Sequence, residues 1–424
     1  MWRGPCPAVG ELEARARALV AARPRLLRLR SVGVSRGGSP LWLLSAGHGP
    51  RDVLVVAGAH ANEPAGGASA LGLAGYFALD PEALARTGCA WHFLLCLDPD
   101  GMRLAEHWLH RPRSVEGYFR NFYRPAFTSQ PEFLPVRGED RAPMPESQAL
   151  VRLIDDLRPA VQFSLHGVEI GGSFLQLTRQ VPGAAEVFRG VAARQRIPLE
   201  LRPFDGMGWY VDAPGVLVLP GAQAADERDP TGFTSEATWT YAMRHGTVSA
   251  VVETPYWAVP AVSDARPTAG TRERELARLG ELLLSRAKRL EAVLGEWTSR
   301  VPEERLPFLA AAQELIEVAP GIVDTWTSYD ARELGAAELA ATVGNSVSLG
   351  ISARRAPLRA AAMLRGALGE RPTPADAAVA ARLDGLVGEW CEDMERQYEP
   401  RWVPLTAQTN LHTQTMLAIA RELA

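Results

Sequence analysis

Short apolar runs recur along the first 257 residues and predict the strands of a buried sheet. Several of these runs are continuously apolar, which is typical of strands that are covered on both faces. Turn residues such as glycine, proline and aspartate follow most of them. The candidate strands span residues 52–58, 91–97, 160–165, 173–178 and 247–252.

Between some of these strands the apolar residues follow a helical spacing instead. Residues 146–159 and 183–196 both show it, and the first of these segments ends at a proline. Alternation of strands and helices is typical of an open sheet that is wrapped by helices. We therefore predict an α/β fold with a mixed, mostly parallel open sheet flanked by helices.

Beyond residue 270 the pattern is helical throughout. Leu276, Leu283, Leu290 and Trp297 recur at seven-residue intervals and form an amphipathic stripe, and further helices are predicted over 358–368, 373–398 and 407–424. We predict an α/β unit over 1–257, a linker over 258–270 and an all-α C-terminal region over 271–424. This region is expected to cover the first unit or to form an oligomer interface.

Composition narrows the class of protein. The 424 residues carry a formal net charge of −4 with both signs interspersed, which predicts neither nucleic-acid nor membrane binding. The four cysteines form no CxxC pair. The N-terminus lacks the apolar core of a signal peptide, and no uninterrupted apolar run reaches the ~18–20 residues that span a bilayer. A cytoplasmic location is the expectation.

Ionisable residues stand where the predicted strands end. His60 and Glu63 follow the first strand on a glycine- and proline-rich turn, His166 follows the strand at 160–165, and Glu253 follows the strand at 247–252. Ligands of open α/β sheets bind beyond the carboxyl ends of the strands, so these side chains are expected to meet. Two histidines and one carboxylate are a ligand set of catalytic zinc, which leaves a fourth position open.

Five short stretches of the sequence resemble the motifs of a known protein family. GAHANEPAG, LDPDGMRL, YFRNFYRP, FSLHG and AVVETPYW resemble, in order, the motifs of the zinc carboxypeptidases, the M14-type or funnelin metallopeptidases. The resemblance covers roughly residues 30–260. It implies that residues 1–257 form a zinc-carboxypeptidase-like catalytic domain, that His60, Glu63 and His166 hold one zinc ion, and that Glu253 is the general base and acid.

The resemblance also implies two substrate-binding residues. Arg120 matches the arginine that grips the substrate carboxylate, although Phe119 stands where the family has asparagine, and Tyr241 resembles the mobile tyrosine that closes over substrate. Ser164 departs from the family too, because an acidic residue often precedes the third ligand there.

The resemblance also implies an arginine that stabilises the oxyanion, but its assignment to one residue stays open. Arg103, Arg111 and Arg113 all lie in the appropriate loop, and a simple alignment places His110 at that position.

The predicted function is that of a zinc-dependent metallocarboxypeptidase-like hydrolase, which cleaves an amide bond near a free carboxylate through zinc-activated water. Two alternatives remain. One is an N-acyl amino acid amidohydrolase of the succinylglutamate desuccinylase or aspartoacylase type, and the other is a non-catalytic scaffold that retains the fold. The expected partners are a peptide or N-acyl amino acid substrate and, through the C-terminal helices, a second copy of the chain.

Overall fold

A computed structural model describes residues 2, 4–110, 113–134, 143–203, 206, 209–219, 236–297, 299–332 and 342–423. Ten strands of this part of the chain form one sheet. They are β1 (Leu27–Val34), β2 (Pro40–Ala46), β3 (Arg51–Ala57), β4 (Cys89–Leu94), β5 (Val161–Gly171), β6 (Phe174–Leu177), β7 (Tyr210–Ala213), β8 (Val216–Val218), β9 (Val248–Ala258) and β10 (Arg401–Trp402).

The sheet is mixed, with a parallel centre. Its order is β1-β2-β4-β3-β5-β9-β6-β8-β7, and β10 pairs with β9. The central strands β4, β3, β5 and β9 are parallel to their neighbours in this group, whereas β1, β2 and β6 add antiparallel pairs on either side. The predicted mixed, mostly parallel open sheet flanked by helices and followed by a helical region is confirmed.

Fourteen α-helices lie in the described part of the chain, with short 3-10 turns between some of them. They are α1 (Val9–Ala22), α2 (Ala65–Leu79), α3 (Pro81–Ala85), α4 (Pro99–Ala105), α5 (Val115–Phe119), α6 (Pro145–Leu157), α7 (Ala184–Gln195), α8 (Thr238–Tyr241), α9 (Arg272–Glu296), α10 (Leu306–Glu317), α11 (Ala319–Arg332), α12 (Val343–Ala367), α13 (Ala377–Tyr398) and α14 (Leu405–Leu423).

Strand β3 shows why its residues are continuously apolar. Val53 and Val55 pack in the core beneath α1, α2, α7 and α14, whereas Leu54 and Val56 pack in a separate core beneath α6. All four side chains are at most 2% exposed. Because successive side chains of a strand point to opposite faces, a strand covered on both faces needs apolar residues at every position.

The C-terminal helices bury the stripe that the sequence predicted. Leu276, Leu283 and Leu290 of α9 are at most 3% exposed, whereas Trp297, the last residue of the predicted stripe, follows the helix and is partly buried. The last helix leaves this group, since α14 packs against α2, α7 and β9 and contributes Leu411 to the core beneath the sheet. The predicted division at residues 258–270 stays a prediction, but the chain past residue 404 belongs to the packing of the first unit.

Two central strands are longer than predicted. The pairing of β3 with β5 ends at Ala57 and Leu165, whereas β5 and β9 stay paired as far as Gly171 and Ala258. His166 and Glu253 therefore lie within strands, and the expectation that they follow strand ends was wrong. The reason is that hydrogen bonding between β5 and β9 continues past the level at which β3 turns away.

One helical segment of the described residues, Glu303–Trp326, is long and apolar enough to cross a membrane by length and composition alone. The sequence expectation of no such segment counted uninterrupted apolar runs, whereas this segment contains an 18-residue window with a mean hydropathy of 1.4. It is divided into α10 and α11, and Ala311 and Ala312 of α10 are buried against the C-terminal helices. Because packed helices pass the same test, the segment alone does not indicate a membrane span.

Candidate metal centre

The turn after β3 brings His60 and Glu63 together. The backbone N–H of Glu63 donates to the carbonyl of His60 at 3.1 Å, and α2 begins two residues later. Gly66 in the first turn of α2 lies against β5, where a Cβ atom would stand 3.1 Å from the carbonyl oxygen of Leu165. The missing side chain therefore lets the turn approach the strand that carries His166.

Three candidate ligand atoms converge between this turn and β5. The Nδ1 atoms of His60 and His166 are 3.0 Å apart, and the carboxylate of Glu63 lies 3.0 Å from the first and 2.9 Å from the second. The exposed fractions of the three residues are 8%, 2% and 3% for His60, His166 and Glu63 respectively. Their ligand atoms all lie within 4.8 Å of one another, so the structure brings the three predicted ligands together.

A second carboxylate, Glu132, lies on the other side of both imidazoles. Its two oxygens are 2.9 Å from Nε2 of His60 and 2.9 Å from Nε2 of His166. The sequence analysis missed this residue because it stands in the aperiodic segment 101–145, and nothing in the spacing of QPEFL marks it. The departure at Ser164 was the available signal, since Ser164 Oγ lies 2.8 Å from Nε2 of His166 and 3.4 Å from Glu132.

These contacts indicate how a bound cation would divide the roles of the ring nitrogens. With a cation on the Nδ1 side, Glu132, which can only accept when ionised, would hold the proton on Nε2 of each neutral ring and leave the Nδ1 lone pair to the cation. Two such lone pairs then face each other and the Glu63 carboxylate, an arrangement that a divalent cation stabilises. Carboxylate–histidine pairs of this kind orient the imidazoles of metal sites.

Burial and the neighbouring charges shift the pKa values of His166, Glu63 and Glu132. Burial lowers the pKa of His166, but Glu132 and Glu63 more than offset this effect and raise that pKa well above its ordinary value. Burial likewise opposes the ionised forms of Glu63 and Glu132, yet the two histidines hold the pKa of each carboxyl well below its ordinary value. The two carboxylates and the two imidazoles thus form one buried cluster.

The geometry of the cluster fits zinc. Zinc binds imidazole nitrogens at about 2.0–2.1 Å in a tetrahedral arrangement, which places two such nitrogens roughly 3.3 Å apart. The observed 3.0 Å between the Nδ1 atoms is close to this separation. His60, His166 and Glu63 would hold the ion and leave one position for a substrate or water.

Glu253 lies on the strand next to His166. The two residues are paired in register between β5 and β9, and their side chains therefore project to the same face of the sheet. The Glu253 side chain is 9% exposed. This position is beside the cluster without being part of the three-residue ligand set.

The two predicted substrate-binding residues are engaged elsewhere. The guanidinium of Arg120, which directly follows α5, lies 2.7 Å from Glu116 and 2.6 Å from Asp384 of α13. The hydroxyl of Tyr241 donates to both oxygens of Asp155, at 2.9 and 3.1 Å. In this structure neither side chain contacts the cluster, and their substrate roles stay predictions.

Two of the oxyanion candidates, Arg103 and Arg113, have partners outside the ligand cluster. Arg103 hydrogen-bonds Ser39, and Arg113 lies over the ring of Trp402. Arg111 and the side chain of His110 lie outside the described residues. A different arginine, Arg124, approaches the cluster instead, with Nη1 3.5 Å from Glu63 Oε1.

Part of the chain matches a known protein family. Residues 12–172 match the family model described as zinc carboxypeptidase, a range that includes all three candidate ligands. This part of the chain is therefore similar to the zinc carboxypeptidases. The family match ends before Glu253, whose relation to the family rests on the motif AVVETPYW.

Several solved structures are similar to this carboxypeptidase-like chain at low identity. A proposed metallopeptidase from Shewanella baltica OS155 is 15% identical, with 60% of this chain and 91% of that one covered and a TM-score of 0.40. Carboxypeptidase A from Helicoverpa armigera is 12% identical, with 77% and 75% covered and a TM-score of 0.38.

Thrombin activatable fibrinolysis inhibitor is 13% identical, with 45% of this chain covered and a TM-score of 0.31, and this chain spans 56% of its length. No curated protein is significantly similar to this chain in sequence.

Proposed function

We propose that this chain is a zinc-dependent hydrolase that cleaves an amide bond near a free carboxylate of a peptide-like substrate. One observation carries the proposal. Two imidazole Nδ1 atoms and one carboxylate face a common point, and a further carboxylate, Glu253, lies in register on the neighbouring strand. This combination is the minimum for hydrolysis by a metal-assisted water and a general base.

The chain's own residues have distinct tasks in this reaction. Bound zinc would supply Lewis acidity toward the scissile carbonyl and the attacking water. Glu253 accepts a proton from that water as its oxygen bonds to the carbonyl carbon. Glu253 then donates the proton to the amide nitrogen as the C–N bond breaks, so that a carboxylic acid and an amine are released.

The ligand assignment is tested with His166→Ala. This variant should lose stoichiometric zinc and all hydrolysis, because the two remaining ligand residues cannot complete the three-residue set. The matched control is His245→Ala, which removes a histidine that pairs with Asp155 away from the cluster. Metal analysis of both purified variants gives the answer, and one tightly held zinc ion per chain in His166→Ala would refute the assignment.

The role of Glu253 is tested separately with Glu253→Gln. The amide keeps the shape of the side chain but cannot accept the proton of water, so zinc should be retained while turnover falls by ~10²–10⁴. Near-normal turnover would assign the base to another residue.

A second candidate, an N-acyl amino acid amidohydrolase, is favoured by the position of Arg120. The side chain that matches the family's carboxylate-gripping arginine is held by Glu116 and Asp384, so recognition of a peptide C-terminus by this residue is not built into the structure. Zinc-loaded protein should be assayed against matched dipeptides and N-acetyl amino acids. Preference for the N-acyl compounds supports the second candidate, and preference for dipeptides supports the first.

A further inference from the structure

A buried ion pair joins the C-terminal helices to the strand that carries His166. Glu169 lies on the same strand, β5, and its side chain is fully buried. Arg359 of α12 donates from Nε to Oε1 of Glu169 at 2.9 Å and from Nη2 to Oε2 at 2.7 Å. Because the guanidinium binds the carboxylate at two points, the pair fixes both the position and the orientation of that carboxylate.

The same carboxylate reaches the turn after β3. Asn62 lies between His60 and Glu63 in the chain. Its amide Nδ2 donates to Glu169 Oε1 at 3.4 Å and to the hydroxyl of Tyr118 at 3.0 Å. An ionised carboxylate can only accept, so Glu169 determines which end of the amide faces it. No described residue hydrogen-bonds the buried Oδ1 atom of Asn62, and the two Nδ2 contacts therefore set the orientation of this side chain.

The backbone of Asn62 is held by a third contact. Its carbonyl accepts from the hydroxyl of Tyr256 on β9 at 3.0 Å. Asn62 is 1% exposed, so bulk water has little access to these three contacts. Together they fix the residue that directly precedes Glu63, whose carboxylate must reach the point that both imidazoles face.

The position of Glu169 depends on a charge from the C-terminal helices. Burial opposes the ionised form of Glu169, but Arg359 makes the largest contribution to holding the pKa of its carboxyl below the ordinary value. Without Arg359 the carboxylate would lose its bidentate partner and the strongest reason to stay ionised. The acceptor that orients Asn62 is therefore supplied by β5 but maintained by α12.

Building on the metal centre of the proposed function, we propose that Arg359 is a positioning residue of that centre. Through Glu169 and Asn62 it holds the turn that carries two of the three candidate ligands. The helical C-terminal region thereby completes the site, although the three candidate ligands all come from the α/β unit.

The test measures the zinc affinity of the full chain by competition with a chelator of known affinity. Arg359→Gln should bind zinc roughly tenfold to a hundredfold more weakly, the range found when residues that orient metal ligands are changed. The matched control is Arg354→Gln on the same helix, which removes a buried arginine bonded to Asp393 of α13 and should leave zinc affinity unchanged. Wild-type zinc affinity in Arg359→Gln would overturn the proposal.

A second variant guards against misfolding, because removal of one member of a buried ion pair is strongly destabilising. Arg359→Met combined with Glu169→Leu replaces both members by apolar side chains of similar size. Since Asn62 again lacks its acceptor, this double variant should fold and bind zinc as weakly as Arg359→Gln. Thermal unfolding of each metal-free protein shows whether the fold is intact, and wild-type zinc affinity in the folded double variant would also contradict the proposal.

Two further measurements distinguish positioning from general stabilisation. Asn62→Ala should weaken zinc binding to a similar extent, and Arg359→Gln added to it should cause little further loss, because both changes act on the same turn. Fully additive losses of binding free energy would mean that Arg359 does not act through Asn62. Co²⁺ bound in place of zinc should show altered visible absorption in Arg359→Gln but not in Arg354→Gln, since this absorption depends on the arrangement of the ligands.

Hydrolysis assays on the same proteins separate this proposal from the proposed function. If Arg359→Gln loses zinc affinity as expected but the zinc-loaded wild type cleaves no amide, the positioning role is supported and the hydrolase function fails. If the wild type cleaves amides while Arg359→Gln keeps wild-type zinc affinity, the function is supported and the positioning role is overturned.

Discussion

Replacement of Glu132 by glutamine tests the second carboxylate of the cluster. Glu132 is 6% exposed and accepts from Nε2 of both His60 and His166 at 2.9 Å. A glutamine of the same shape offers one acceptor and one donor, so one imidazole N–H would face an amide N–H. That ring must lose its hydrogen bond or move its proton to Nδ1, where the lone pair for the metal is needed.

The expected loss of zinc affinity follows from this one lost hydrogen bond. A hydrogen bond to a charged group contributes about 1.5–3 kcal/mol, and changes of carboxylates behind metal-bound histidines weaken metal binding roughly 10- to 100-fold. A 10- to 100-fold loss equals about 1.4–2.7 kcal/mol, in agreement with one bond. We therefore expect Glu132→Gln to bind zinc 10- to 100-fold more weakly while the sheet stays folded.

Competition with a chelator of known zinc affinity measures the effect. The control is Glu146→Gln, because Glu146 is also buried but accepts from the backbone N–H of Arg36, away from the cluster. If Glu132→Gln bound zinc as tightly as the wild type while thermal unfolding showed an intact fold, the tautomer argument would be refuted.

Two further predictions concern stability. Burial raises the pKa of Asp98 to about 7 from its ordinary 3.8. Between these two values the folded state retains a proton that the unfolded state releases. The free energy of unfolding should therefore fall as the pH rises from about 4 to about 7. Asp98→Asn keeps an acceptor for the N–H of Gly101 and should remove this loss of stability, which is about 4 kcal/mol at most. Denaturant unfolding of both proteins at several pH values measures the effect. A difference in stability between variant and wild type that does not change with pH would contradict the prediction. Leu411→Ala should lower the free energy of unfolding by about 2–5 kcal/mol, because Leu411 of α14 is fully buried beneath the sheet. Urea titration measures this loss, and a loss below about 1 kcal/mol would mean that α14 adds little to that core.

Local sequence was sufficient for the architecture and for the candidate ligands. Continuous apolar runs predicted the central strands because both of their faces are covered, and the leucine stripe predicted α9 because one face of that helix is buried. His60 and Glu63 could be identified because they share one tight turn. His166 could be identified because it directly follows a recognisable apolar run, although the strand continues past it.

Tertiary structure decided the surroundings of these ligands. Glu132 and Arg124 come from a segment without periodicity, so only the path of that loop shows that they reach the cluster. Arg120 matches a family motif by local sequence, yet Asp384, 264 residues away in the chain, holds its guanidinium. Arg359 of α12 likewise hydrogen-bonds Glu169 of β5, 190 residues away in the chain. Residue type and short-range spacing determine which chemistry a side chain can perform, whereas its partners depend on contacts between distant segments, which no local pattern encodes.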